Sequence, residues 1–407
     1  MPASIQNDPV TSAGAVSPAN VDADLLSVLP EIAAGCSITP EFACTLMLCS
    51  ERVLPALLDT AMQVKRQFKP AVITYSRKVF IPLTNLCRDY CGYCIFRRDP
   101  GQPGVQTMLP EEVLAVARRG EKLGCTEALF SLGDKPESIF PDMRATLRAL
   151  GYKSTLHYLE AMCELVVRET SLLPHANPGL MSARWIGRLA RWSPSLGLMF
   201  ETTSDLLLQP GAAHDRAPDK VPGLRLRTIE EAGKQAVPFT TGMLIGIGET
   251  VEDRVNTLFA IRALHGRYGH IQEVIIQNFR VKADIPMRDW PEPSRNEMLR
   301  TIAVARLILR DMNIQAPPNL SSPDYDKLLG AGLNDWGGVS PVTPDFINPE
   351  APWPHLADLE ARTRSAGCEL RQRLPVYPEF IGKVSAPALR ERMQALSDEQ
   401  GYVRRKA

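Results

Sequence analysis

No run of about eighteen consecutive apolar residues occurs in this chain, so no transmembrane helix is expected. An excess of charge of one sign is also missing, because 46 basic and 46 acidic residues cancel to a formal net charge of zero. Balanced charge provides neither a basic field for nucleic acid nor a polybasic membrane patch. The first basic residue is Arg52, so the positive segment of a secretory signal is lacking, as is its apolar core. Nine cysteines without an export signal point to a reducing, cytoplasmic location and to metal use rather than disulfides. Histidine is scarce, and only His265 and His270 of the six have zinc-like spacing.

What is present is a set of three thiols. Cys87, Cys91 and Cys94 stand at CxxxCxxC spacing, directly after the apolar run Val79–Leu83. That spacing puts three cysteines on one short loop, within reach of one cluster. A cubane cluster has four irons, so three ligands leave one iron open to a substrate. A saturated carrier cluster needs a fourth cysteine, and none lies between Cys94 and Cys125. Structural zinc normally takes four protein ligands, and there is no second CxxC. A non-catalytic iron–sulfur carrier and a zinc-stabilised module remain the readings from other classes. Cys36, Cys44, Cys49, Cys125, Cys163 and Cys368 lack ligand spacing and read as small buried hydrophobes.

Residues 1–23 are small, polar and Pro-containing and read as a disordered arm. Residues 24–70 read as a helical prefix, with Phe42, Leu46, Cys49, Val53 and Leu57 on one apolar face. Residues 71–351 alternate strand and helix signals. The strand candidates are Val79–Leu83, Ala128–Leu132, Ser171–Pro174, Ser195–Glu201, Phe239–Ile247, Gln272–Asn278, Asn313–Ala316 and Leu333–Val339. Between them lie helix starts such as Pro110 with Glu111 and Glu112, and a capping box at Thr250 and Asp253. Such alternation predicts an α/β fold, a TIM-type (β/α) barrel with eight strands; a six-strand partial barrel is the alternative. Residues 352–407 read as a charged, solvated helical extension.

Barrel chemistry gathers at the C-terminal strand ends. There the chain places Gly133 and Asp134; His175 and Asn177; Glu201; Gly246 and Glu249; and the amides Gln277 and Asn278. The segment Asn334–Pro341 combines a carboxylate, an indole and two adjacent glycines, which predicts a last strand facing substrate through Asp335 and Trp336.

The three-thiol loop after a strand, followed by Phe96, resembles the signature of radical S-adenosylmethionine (SAM) enzymes. The segments Gly133–Glu137, His214–Lys220 and Asn334–Pro341, with Tyr93 directly before the third thiol, closely resemble the CofG type of that family, from about Val79 to Pro354. The resemblance implies one 4Fe–4S cluster on Cys87, Cys91 and Cys94. It implies SAM chelated at the open iron, within a pocket of Tyr93, Gly133, Asp134, Glu201, Gly246 and Glu249. Asp134 stands where the family motif has its second glycine. The activity implied is formation of 7,8-didemethyl-8-hydroxy-5-deazariboflavin (FO) for coenzyme F(420), a ring closure of the carbon–nitrogen lyase type with release of ammonia. Its substrate would be the 5-amino-5-(4-hydroxybenzyl)-6-(D-ribitylimino)-5,6-dihydrouracil adduct. Implied partners are a separate CofH chain, which makes the adduct, and a reducing electron donor. His157, Tyr158, Asn177, Asn319 and Trp336 are candidates to hold substrate, and Asp335 or His175 to act as base. A CofH-like or biotin-synthase-like enzyme with another substrate is the alternative within the class.

Overall fold

A computed structural model describes residues 18–405. The arm expected over residues 1–23 lies mostly outside them, and a helix already begins at Pro18. Eight parallel strands close into a barrel. They are β1 (Val72–Pro82), β2 (Glu127–Ser131), β3 (Leu173–Asn177), β4 (Ser195–Gly197), β5 (Phe239–Ile245), β6 (Ile271–Asn278), β7 (Ile314–Gln315) and β8 (Asp335–Val339). Strand β1 closes the ring, pairing Lys78 with Glu127 of β2 and Thr74 with Asp335 of β8. A ninth strand, β9 (Glu369–Arg373), pairs with the first half of β1, from Val72 to Ser76.

The helices form where their ends are satisfied. Thr250 Oγ1 accepts from the Asp253 N–H at 3.1 Å, and the Asp253 carboxylate accepts from the Thr250 N–H at 2.9 Å; together they open the helix Val251–Tyr268. Ser294 and Glu297 do the same for Arg295–Leu309. Pro110 begins Pro110–Lys122, with Glu112 accepting from the Leu109 N–H at 2.7 Å. The prefix is three helices, Pro18–Ala34, Pro40–Met47 and Leu54–Phe68. Cys49 and Val53 fall in the turn between the second and third, yet they, Leu46 and Leu57 are buried in the main core; Phe42 packs on it half-exposed. Among the other thiols, Cys125 and Cys163 are buried, Cys44 and Cys368 are half-buried and Cys36 is exposed. No described helix is long and apolar enough to cross a membrane.

TIM-type barrels usually fill their interior with branched apolar side chains. Here much of the interior is charged. Lys78 Nζ lies 2.7 Å from Glu127 Oε1. His175 Nδ1 and Ser195 Oγ are 2.7 Å apart. Arg373 reaches in from β9, with Nη2 2.6 Å from Glu273 Oε1 and Nε 2.6 Å from Asp335 Oδ2. Buried charges persist only when paired and hydrogen-bonded. Beyond β9 the chain crosses the N-terminal end of the barrel. The Pro375 carbonyl accepts from Ser195 Oγ at 2.9 Å and Gln272 Nε2 at 3.1 Å, and the Tyr377 hydroxyl donates to Glu273 at 2.9 Å. Leu374, Val376, Tyr377, Phe380, Val384, Leu389 and Met393 form an apolar cluster there with Leu173 of β3. The tail does hold two helices, Leu356–Ser365 and Pro387–Leu396, as expected, but between them it adds a strand and an arginine inserted into the barrel. Only one residue of β9, Leu370, is apolar, so hydrophobic pattern gives no sign of the strand.

Candidate active site

A cavity of about 370 Å³ opens at the C-terminal ends of the strands. Cys87, Cys91 and Cys94 all line it, as do Tyr93, Gly133, Asp134, His175, Asn177 and Glu201. The loop after β1 carries the thiols, and its neighbours brace it. The Gly92 N–H donates to the Ala213 carbonyl at 2.8 Å, and the Tyr90 N–H to the Arg216 carbonyl at 2.9 Å. Tyr93 Oη lies 3.0 Å from His214 Nε2. The Arg88 guanidinium pairs bidentately with the buried Asp219. The segment 213–220 is therefore the outer support of the cysteine loop.

The donor set fits an iron–sulfur cluster and SAM. Three thiols on one loop face one cavity, and the Asp134 N–H donates to Cys87 Sγ at 3.2 Å, a contact that supports a thiolate. Burial first, and then the Asp89 carboxylate, pushes the Cys87 thiol up to about 12, and burial raises Cys91 as well. Such thiols ionise when a metal ion provides the positive charge. Gly133 has no room for a side chain: a Cβ would collide with the Leu86 carbonyl and come within 2.6 Å of Cys87 Cβ. Strand β2 and the thiol loop therefore touch backbone to backbone.

Asp134 is buried. Its Oδ2 accepts from the Leu180 N–H at 3.0 Å, and the Lys135 ammonium stands 3.0 Å from Oδ1. Burial, with the nearby Asp219 adding to it against Lys135, raises the Asp134 carboxyl to about 6. Asp89, Asp134 and Asp219 converge under the loop; Arg88 pairs with Asp219, Lys135 with Asp134 and Asp219, and Asp89 accepts from the Asp219 N–H at 2.9 Å. Glu201 holds a left-handed backbone at φ 71° where the chain leaves β4, and pairs with Lys220 and, at 3.7 Å, Arg225. Burial alone would raise its carboxyl, but the two cations outweigh that and keep it below its usual range.

Other expected site residues stand elsewhere. Glu249 accepts from the Gly246 and Ile247 N–H groups, both at 2.8 Å, and from Arg254 Nε at 2.7 Å. It closes the turn after β5, and neither it nor Gly246 lines the cavity. Asp335 is the first residue of β8 and so lies toward the N-terminal end of the barrel, held by Arg373 and Thr74. Trp336 is fully buried among the outer helices, its indole N–H donating to Thr363 Oγ1 at 3.1 Å. His157 and Tyr158 belong to the helix Thr155–Glu169, and the Tyr158 hydroxyl donates to the Met108 carbonyl at 2.6 Å. Asn319 donates to Asp345 Oδ2 at 3.0 Å and to the Ala351 carbonyl at 3.1 Å, one layer behind the cavity wall. His175 does line the cavity. Its burial, against the opposing pull of Glu127, lowers it to about 4, so the imidazole is neutral at pH 7.

Sequence reasoning passed over Lys78, Phe80, Lys220, Gln315 and Trp353, all of which line the cavity. The signal for Lys78 was available. Thr74, Ser76, Lys78 and Phe80 fall at every second position of β1, the period of one strand face.

An eight-stranded parallel barrel with this three-thiol loop at its mouth defines the radical SAM class of enzyme. The Radical SAM superfamily model matches residues 81–261. The chain is 48% identical over 334 residues to the 7,8-didemethyl-8-hydroxy-5-deazariboflavin synthase of Methanopyrus kandleri, covering 82% of this chain and 100% of that protein. It is 50% identical over 349 residues to the FO synthase of Streptomyces coelicolor, covering 83% of this chain but only 40% of that longer protein. The hydrogenase maturase HydG from Carboxydothermus hydrogenoformans shares the fold, with a TM-score of 0.70 at 17% identity, covering 93% of this chain and 91% of that one. The chain belongs to the 7,8-didemethyl-8-hydroxy-5-deazariboflavin synthase family of radical SAM enzymes.

Proposed function

We propose that this enzyme forms FO by closing the central ring of the hydroxybenzyl–ribityliminouracil adduct, with release of ammonia, a ring-closing reaction of the carbon–nitrogen lyase type. The observation that carries this reading is the 48% identity spanning the full length of the Methanopyrus kandleri synthase. A cluster on Cys87, Cys91 and Cys94 with SAM beside it would supply the one-electron chemistry that starts the reaction. The protein's own part is to bind, orient and exclude water. Asp134 offers an acceptor to the SAM ammonium, Glu201 an acceptor to ribose hydroxyls, and Tyr93 a wall beside the thiols. His175 is the base candidate that lines the cavity; burial disfavours its cation, so it would accept a proton only in passing at its free imidazole nitrogen. Asp335, tied to Arg373, is the weaker of the two base candidates.

The adduct would come from a CofH-type partner polypeptide, and the electron from a reducing donor. The greater length of the Streptomyces coelicolor FO synthase, of which this chain covers 40%, supports a second catalytic unit in the same pathway step. The test is anaerobic reconstitution with iron and sulfide, followed by incubation with SAM, reductant, tyrosine, 5-amino-6-(D-ribitylamino)uracil and a purified CofH-type enzyme. A fluorescent deazaflavin of the FO mass is expected. Its absence, with the partner shown to be active, would refute the proposal.

A further inference from the structure

We propose that the side-chain amides of Gln277 and Gln315 read the pyrimidinedione ring of the substrate, which lies against a wall made by Phe80 and Trp353; this deepens, and rests on, the activity proposed above. Both glutamines line the cavity, at the end of β6 and on β7, strands that carry none of the thiols, Asp134 or Glu201. Gln315 is buried, with 6% of its surface exposed, so its amide can gain little from bulk water.

The backbone of β8 makes room for that amide. Gly337 has φ 71°, and a Cβ there would collide with Gln315 Nε2 and lie 2.5 Å from its Cδ. At Gly338 a Cβ would lie 2.5 Å from Lys78 Cε and 3.1 Å from Phe80 Cζ. The two adjacent glycines thus serve side chains of the cavity. The wall is fixed as well. The Phe80 and Trp353 rings stack with centroids 5.0 Å apart and planes 13° from parallel. Thr343 holds both, its Oγ1 accepting from the Phe80 N–H at 3.0 Å and its carbonyl from the Trp353 indole at 3.1 Å. A flat aromatic face suits the planar C2–N3–C4 imide part of the pyrimidinedione ring.

The polar complement fits an imide. A pyrimidinedione edge presents carbonyl, N–H and carbonyl in a row, and a carboxamide offers a donor beside an acceptor. Ammonium groups only donate and carboxylates only accept, so neither matches that edge alone. Asn278, next to Gln277 and also lining the cavity, donates to the Leu320 carbonyl at 3.1 Å, while its buried Oδ1 has no partner among the described residues. Gln315 and Asn278 are buried and Gln277 is half-buried, and a site with such waiting amides rejects ligands that leave them unpaired.

The test is calorimetric titration of the reconstituted full-length holoenzyme with 5-amino-6-(D-ribitylamino)uracil, which carries the same imide edge as the adduct, with its N3-methyl derivative, and separately with SAM; no binding of the uracil to the wild type would overturn the proposal. Gln315→Leu and Gln277→Leu should each weaken the uracil about tenfold or more, as expected for lost polar readout, and change SAM affinity less than twofold. N3-methylation should cost the wild type a similar factor and cost Gln315→Leu little, a pattern that mere loosening of the fold does not produce. Iron content and circular dichroism check folding; if Gln315→Leu does not fold, Gln277→Leu and the methylated probe on wild type decide. Wild-type affinity in both variants, loss of SAM binding instead, or an equal methylation penalty in wild type and variant would overturn the proposal. Wild-type enzyme that makes FO while the variants bind normally refutes this inference alone; wild-type enzyme that makes no FO refutes the activity.

Discussion

Arg373 and Asp335 form a buried ion pair that joins the C-terminal tail to the inside of the barrel, with Nε 2.6 Å from Oδ2 and side chains 2% and 0% exposed. Arg373 also holds Glu273, so one guanidinium bridges two carboxylates. Removing one partner of a buried pair leaves a charge without compensation, at a cost of roughly 3–5 kcal/mol. Arg373→Met should therefore lower the denaturation midpoint strongly. Asp335→Asn should cost less, because Glu273 still pairs with the arginine. Denaturant melts of the three proteins check this; an Arg373→Met variant as stable as wild type would remove the pair from the account of the fold.

The thiols make a second, sharper expectation. Cys87→Ala, Cys91→Ala or Cys94→Ala should each lose most cluster iron and SAM cleavage, because three ligands are the least that hold the cluster with one iron open. Cys163→Ala, in a buried helix position away from the cavity, should keep both. Iron assay, visible absorption and 5′-deoxyadenosine release under dithionite measure the difference.

Gly133→Ala tests the contact between β2 and the thiol loop. The added methyl meets the Leu86 carbonyl, which is backbone and cannot swing aside. Iron incorporation should fall several-fold while overall helicity stays near wild type. Unchanged iron content would mean that the loop is free to move.

Three buried histidines set an acid limit. Burial lowers His175 and His270 to about 4 and His214 to about 3, and His270 Nε2 lies 2.9 Å from the Ile229 carbonyl. The unfolded chain, with histidines near 6.5, binds these protons first. Their contribution to stability is therefore complete above about pH 6.5 and is lost as pH falls toward 4. Denaturant melts between pH 7 and 5 should show the decline, and His270→Gln, which can still donate to Ile229 but cannot become a cation, should decline less.

All eight barrel strands were legible in place but not in extent: Ser171–Pro174 meets only the start of β3 and Val79–Leu83 only the end of β1, because the polar side chains of the barrel interior break the apolar runs that a strand buried on both faces usually shows. The thiol loop was legible because ligand spacing survives without structure. Depth within the barrel was not. Asp335 is at the N-terminal end of its strand while the chemistry gathers at the opposite end, and a strand pattern does not say which layer a residue joins. His157 and Tyr158 were polar enough to look functional, but they lie in an outer helix. Glu249 has its backbone partners two and three residues away, so its role is local. Phe80 and Trp353 are 273 positions apart, and no local pattern could have joined them.

Strand β9 pairs with the first half of β1, and the second half of β1 ends at the thiol loop. The half that leads to the thiols can pair with β2 soon after it is made, whereas the first half gains β9, and with it Arg373, from far along the sequence. A chain stopped before Glu369 should therefore leave Glu273 and Asp335 without their arginine and take up several-fold less iron than the full protein under identical anaerobic loading.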